Sequence, residues 1–167
     1  NTFAWQQDMD PQAGMLRLVV GLGTRAVNRV EHDNPRIVAL DAPLMRPHAG
    51  LSDTRRYAQR YVDLLNIAHN RLETEHLDTL MADEMRLNLS LLGAVAVPAD
   101  HAVAQDALPS RLLTFEPLLS ETELPAVMHQ MLKTLEAAYR HPVDIEFTIN
   151  FVQGSSFAVN LVQCRPL

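Results

Sequence analysis

The sequence predicts an α+β fold: a mainly antiparallel sheet with packed helices and a C-terminal β-hairpin. Three observations carry that expectation. Residues 143–151 alternate strictly, with Val143, Ile145, Phe147, Ile149 and Phe151 apolar and Asp144, Glu146, Thr148 and Asn150 polar, the period of a strand with one wet face. Leu124, Met128, Met131, Leu132, Leu135 and Tyr139 recur instead at helical spacing. Elsewhere the apolar runs are short and are not separated by regular crossover helices, so the alternating βα units of a parallel sheet are not expected.

Composition bounds the rest. The 167 residues are 47% hydrophobic and 20% charged, and residues 1–167 are expected to be one domain, or most of one, with a sizeable core. Net charge is −6, and among 14 basic residues only Lys133 is a lysine, so no basic stripe invites nucleic acid or an anionic membrane. The single Cys164 excludes an internal disulfide, and a reducing, cytoplasmic setting is expected. Seven histidines are scattered without metal-ligand spacing. No run approaches the roughly eighteen apolar residues of a membrane span. The chain opens at Asn1, as expected of a processed or excised piece.

The elements follow in order. Residues 1–14 have no period and form an extended lead-in and turn. Residues 15–20 (MLRLVV) are a buried strand running into the tight turn Gly21-Leu22-Gly23. Thr24 is placed to cap a short helix reaching Arg29 or Val30, closed by Asp33-Asn34-Pro35. Residues 37–40 are a second strand and 41–50, with Pro43 and Pro47, a loop. Residues 54–67 fit both a helix face and a strand. Residues 77–87 read as a modest helix, 88–97 as a strand or the start of a loop, 98–109 as a connection and 112–115 as a strand. Ser120 with Glu123 has the spacing of a capping box, and Pro125 sits in the first turn of the helix that ends near Arg140.

The terminal hairpin allows a register to be derived. A two-residue loop of Gly154 and Ser155, with Gly first, suits a type II′ turn. Counting outward from it sets Phe147 opposite Val162, Glu146 opposite Gln163 and Asp144 opposite Arg165. One face then collects Asp144, Glu146, Gln163 and Arg165, and the other Ile145, Phe147, Ile149, Val162 and Cys164. Two carboxylates, an amide oxygen and a guanidinium on one surface suit a hydrated divalent cation and a phosphate. The same spacing also describes a solvated strand face with a cross-strand ion pair.

A rival pattern lies earlier. Gly21-x-Gly23-x-x-Ala26 after a strand, followed by Asp41, copies a dinucleotide-binding fingerprint and would predict NAD(P) on a parallel sheet. Against it, only about two helical turns fit before Asp33 and Pro35, which is short for a crossover helix.

Pro142-Val143-Asp144-Ile145-Glu146-Phe147 and Leu161-Val162-Gln163-Cys164-Arg165-Pro166-Leu167 together resemble the end of the ATP-grasp nucleotide-binding domain of the phosphoenolpyruvate synthase and pyruvate phosphate dikinase family. That family's pattern is a DIEW- or DIEF-like strand, a short hairpin and a strand ending LLQxRP. Gly21-Leu22-Gly23 with Ala26-Val27 resembles its upstream GLGExVV segment, with Thr24 in place of the glutamate. The resemblance implies a Mg2+-dependent ATP site whose phosphates pass to a histidine on a separate domain of an ATP-dependent phosphotransferase. It implies that Glu146 and Gln163 face magnesium and phosphates, that Asp144 supports them, that Arg165 stabilises the transferring phosphoryl groups, and that Gly21 and Gly23 belong to the nucleotide-binding turn. It further implies a first lobe bearing a phosphate-binding lysine and arginine. With fourteen residues before Met15, most of that lobe is expected to lie outside this chain, which alone is then inactive. A noncatalytic interaction or regulatory module keeping the same fold is the alternative, motivated by Thr24.

Overall fold

The computed structural model describes residues 9–28, 33–47, 50, 54, 56–82, 88–97, 110–152 and 156–167. The chain divides into two compact units: Asn1–Leu18, Ile37–Pro47 and Pro117–Leu167 form the first, and Val19–Arg36 with His48–Glu116 the second. The architecture is α+β, and the strands with a described register pair antiparallel.

In the first unit, β1 (Met15–Leu18) pairs with β2 (Arg36–Ala39). Leu16, Leu18, Val38, Ala39 and Leu40 are buried, as the apolar run requires. Gly14 makes the turn before β1 at φ +95°, and a Cβ there would come 2.9 Å from Leu132 on the long helix. His129 Nδ1 meets the Ala13 carbonyl oxygen at 2.9 Å, so the same turn is held on the helix by a polar contact as well.

That helix, α5 (Leu124–Tyr139), follows the short α4 (Glu116–Ser120). Leu124 and Met128 are fully buried. The capping box expected from Ser120 and Glu123 does not form. Ser120 is used up as the last residue of α4, and Glu123 stands at the N-cap without a side-chain bond. Thr122 takes over: its hydroxyl donates to Leu118 O at 2.6 Å and accepts from Leu124 N at 3.2 Å. Arg140, at φ +57°, ends the helix in the left-handed region, and Pro142 prevents its continuation.

The C-terminal hairpin pairs β7 (Val143–Phe151) with β8 (Phe157–Pro166). Glu146 stands opposite Gln163 and Asp144 opposite Arg165, as derived from the sequence, but Phe147 faces Leu161 and not Val162. The expected turn at Gly154 and Ser155 lies outside the described residues. Near it, Val152 N donates to Ser156 O at 3.0 Å, and the ladder from Phe151–Phe157 to Phe147–Leu161 runs one residue off the derived register. A β-bulge at Val162 makes up the difference. The spacing of β8 explains it: Phe157, Val159 and Leu161 alternate, but polar Gln163 stands where the alternation would continue, and Cys164 is three residues beyond Leu161. One extra residue is needed to keep all four on the face of Ile145 and Phe147. Val162, assigned from sequence to that apolar face, is this extra residue and is 63% exposed.

In the second unit, residues 61–66 resolve as a strand. β3 (Tyr61–Asn66) pairs with β4 (Arg71–His76), and only Val62 among its side chains is fully buried. Helix α2 (Leu77–Ala82) buries Leu77, Leu80 and Met81, the i, i+3, i+4 stripe of an amphipathic turn. Residues 83–87 of the expected helix lie outside the described residues. Asn88 caps α3 (Leu89–Leu92), which leads through Gly93 into β5 (Ala94–Val97). β5 pairs with β6 (Ser110–Leu113), and Arg111 N donates to the Asp78 carboxylate of α2 at 3.1 Å.

The dinucleotide reading is corrected by these elements. The helix after the glycines, α1 (Thr24–Val27), has four residues, and β1 and β2 form a two-stranded sheet. Asp41 instead accepts the main-chain N–H of Asp10 at 2.6 Å. Among the described residues no helix is long and apolar enough to cross a membrane.

Candidate functional site

The hairpin brings four of the sequence-predicted residues onto one face. Asp144, Glu146, Thr148 and Asn150 alternate along β7, and their cross-strand partners are Arg165, Gln163, Asn160 and Ala158. Arg165 grips Asp144 with two donors, Nη2 at 2.7 Å and Nε at 3.2 Å from Oδ2. The hydrogen bond from Arg165 to Asp144, then the charge of Asp144 and that of Glu146, raise the guanidinium pKa above its ordinary value. Both side chains are largely exposed, so this is a cross-strand ion pair on the open face of the hairpin. Farther along the face, Asn160 donates to Thr148 at 3.3 Å.

Glu146 and Gln163 stand next to that pair, both exposed. Among the described residues no group of three or more His, Cys, Asp or Glu side chains is arranged to hold a metal ion. The donor set nevertheless fits Mg2+, which takes one or two protein oxygens and fills its remaining positions with water and phosphate oxygens. Glu146 would supply the charged oxygen and Gln163 the neutral one.

Gly21 and Gly23 belong to the second unit, and they serve different ends. Gly21 lies at φ +90°, and a Cβ there would collide with Val62 and come 2.6 Å from the Asp63 carbonyl oxygen. The turn can pass β3 only with glycine at this position. Gly23 has ordinary φ, −65°, and open space where a Cβ would be.

What fixes the turn escaped the sequence reading. Gln59, buried, accepts from Val20 N at 2.8 Å and donates to Val20 O at 2.9 Å, so its amide pairs with the main chain just before Gly21 as a strand would. Leu22 N donates to Asp63 O at 2.8 Å. The Asp63 carboxylate accepts from Thr24 Oγ1 at 2.7 Å, Thr74 Oγ1 at 2.7 Å and Arg25 Nη2 at 3.0 Å. Arg25 is also ion-paired with Asp33 and lies over the Tyr61 ring at 5.5 Å. Thr24, expected to cap the helix, uses its hydroxyl on Asp63 instead; the N-cap is Gly23.

These contacts set the local electrostatics. Burial alone would lower the Arg25 pKa, but hydrogen bonding and charge from Asp63 and Asp33 outweigh it and raise the value. The Thr74 hydroxyl most of all, then Thr24 and Arg25, hold the Asp63 carboxyl below its usual range against the opposing effect of burial. Both terminal nitrogens of Arg25, next in sequence but one to Gly23, are thus taken by carboxylates, while its Nε is buried without a hydrogen-bond partner. Lys133, the chain's one lysine, lies on α5 in an ion pair with Glu136 at 3.1 Å.

The alternation of β3 is blurred by Leu64 and Leu65, so no local pattern marked Asp63. The one available signal was chemical: an acidic residue inside an otherwise apolar run.

The sequence matches a family model described as pyruvate phosphate dikinase, AMP/ATP-binding domain, over residues 4–167. No curated protein and no solved structure matches it.

Proposed function

The chain belongs to the pyruvate phosphate dikinase AMP/ATP-binding domain family, and from that premise we propose that it is the nucleotide-holding part of an ATP-dependent phosphotransferase of the pyruvate phosphate dikinase or phosphoenolpyruvate synthase type. The observation that carries the proposal is the pairing of Glu146 with Gln163 beside the Asp144–Arg165 pair on one open strand face. In this reading Glu146 and Gln163 hold Mg2+ and turn the phosphates toward Arg165. Bound there, the cation would neutralise charge on the phosphate oxygens. Arg165, anchored by Asp144, offers donors to the phosphoryl group in flight, and phosphoryl transfer asks mainly for such positioning and charge neutralisation. The acceptor is a histidine on another domain.

Gly21 and Gly23 are proposed as a nucleotide-facing turn of their own unit, supported by the family resemblance and by the open space at Gly23. Arg25 is committed to Asp33 and Asp63 and Lys133 to Glu136, and the phosphate-binding lysine and arginine that the family resemblance implies are proposed to lie in a first lobe, most of it outside these 167 residues. The 167 residues are proposed to form one partial ATP-grasp domain, inactive by itself.

Equilibrium titration of the full-length protein with ATP, with and without Mg2+, tests the reading. Magnesium-dependent binding supports it. The absence of ATP binding favours a noncatalytic interaction module, and the same titration with NADH is expected to show no binding.

A further inference from the structure

Away from the hairpin face, Arg25, Asp33 and Asp63 form a bonded group of charged side chains at the Gly21-Leu22-Gly23 turn. Side-chain exposure is 13% for Arg25, 2% for Asp33 and 14% for Asp63. Asp63 touches the turn in three ways. Its carbonyl oxygen accepts Leu22 N and closes the space beside Gly21, its carboxylate accepts the Thr24 hydroxyl, and the same carboxylate takes one arm of Arg25. From its own hairpin it is steadied by Thr74, across the strand pair in direct register. Asp33 holds the other arm of Arg25 and accepts the main-chain N–H of Arg60 at 2.7 Å.

We propose that Asp63 is the positioning residue of the Gly21-Leu22-Gly23 turn, setting the shape in which that turn meets a nucleotide. The inference deepens the functional reading above and rests on it for the identity of the ligand; the hold of Asp63 on the turn does not. The physical ground is that the turn and the short α1 have little to fix them internally. α1 has four residues, none of them buried, and one turn of helix is not stable alone. Charge-assisted bonds from a carboxylate that is itself anchored by Thr74 supply the missing constraint. Arg25 follows as a structural cation balanced by two carboxylates and closed to phosphate.

Hydrogen exchange, read by mass spectrometry on the full-length protein, tests this on the wild type, Asp63→Ala and Thr24→Val. In Asp63→Ala, exchange over residues 21–27 is expected to rise about tenfold, with a smaller rise in Thr24→Val. Exchange in β5 and β6 stays as in the wild type. In turnover assays the KM for ATP rises with little change in kcat. Unchanged exchange at the turn, a rise spread equally through β5 and β6, or an unaltered KM in a variant with a loosened turn would each overturn the proposal. Should Asp63→Ala fail to fold, Thr24→Val, a near-isosteric change, carries the same comparison. A wild type that binds no Mg-ATP while its variants show the expected exchange pattern removes the nucleotide reading and leaves the hold of Asp63 on the turn established.

Discussion

Glu146 stands opposite Gln163 because Val162 is bulged out of β8. On the turn side of the bulge the strands pair one residue differently, and without the extra residue the apolar Leu161 and the polar Gln163 could not both reach their proper faces. Val162→Lys is therefore expected to change stability by less than about 0.5 kcal/mol, as for other exposed sites. Leu161→Lys, opposite Phe147, removes a cross-strand apolar pair and is expected to cost about 1 kcal/mol. Denaturant unfolding of the two variants checks the difference.

The two glycines of the turn stand under different backbone constraints. Gly21→Ala has to relieve a clash with Val62 and the Asp63 carbonyl while adopting positive φ, and is expected to destabilise the protein by about 2–4 kcal/mol. Gly23→Ala meets open space at ordinary φ and is expected to leave the melting temperature unchanged. If Gly23 faces the nucleotide, the same alanine weakens ATP binding. Thermal melts paired with ATP titrations read both effects.

Gln59 replaces a strand with one side chain. Gln59→Leu keeps the bulk but strands the N–H and carbonyl of buried Val20, together with the carbonyl of Tyr61. A loss of about 2–4 kcal/mol is expected, since each unsatisfied buried group costs about 1–3 kcal/mol. Chemical unfolding measures it.

Asp63 should leave an acid signature. Its carboxyl titrates below its ordinary range when folded and near 3.9 when unfolded. The stability it contributes is therefore complete above about pH 5, begins to fall near the unfolded pKa and is lost as pH drops through the lower, folded value. The stability difference between wild type and Asp63→Asn is expected to be flat from pH 7 to about pH 5 and to shrink toward pH 2. A difference that grows on acidification would contradict the assigned direction.

Much of this arrangement was legible in residue patterns, and the rest depended on contacts between distant segments. The period of residues 143–151 revealed β7 and its wet face, and the spacing from Leu124 to Tyr139 revealed α5. The pairing of Glu146 with Gln163 was reached from a two-residue turn, although the ladder near that turn is one residue off and the bulge compensates. The spacing of Leu161 and Cys164 held the clue to the bulge. Ser120 misled because a second short helix claimed it. The lock on the Gly turn could not be seen locally, since Gln59 and Asp63 lie 39 and 41 residues after Val20 and Leu22.

The central claim is that the face shared by Glu146, Gln163, Asp144 and Arg165 holds the phosphates of Mg-ATP. All four side chains lie on the open face of an exposed hairpin, so their replacement is not expected to unfold the protein. Calorimetric titration of the full-length protein with Mg-ATP, comparing wild type with Glu146→Ala and Arg165→Ala at matched melting temperature, tests the claim most directly. The account predicts affinity at least about tenfold weaker in each variant, the loss expected for a charge-assisted contact. Wild-type affinity and undiminished phosphoryl transfer in both would contradict it.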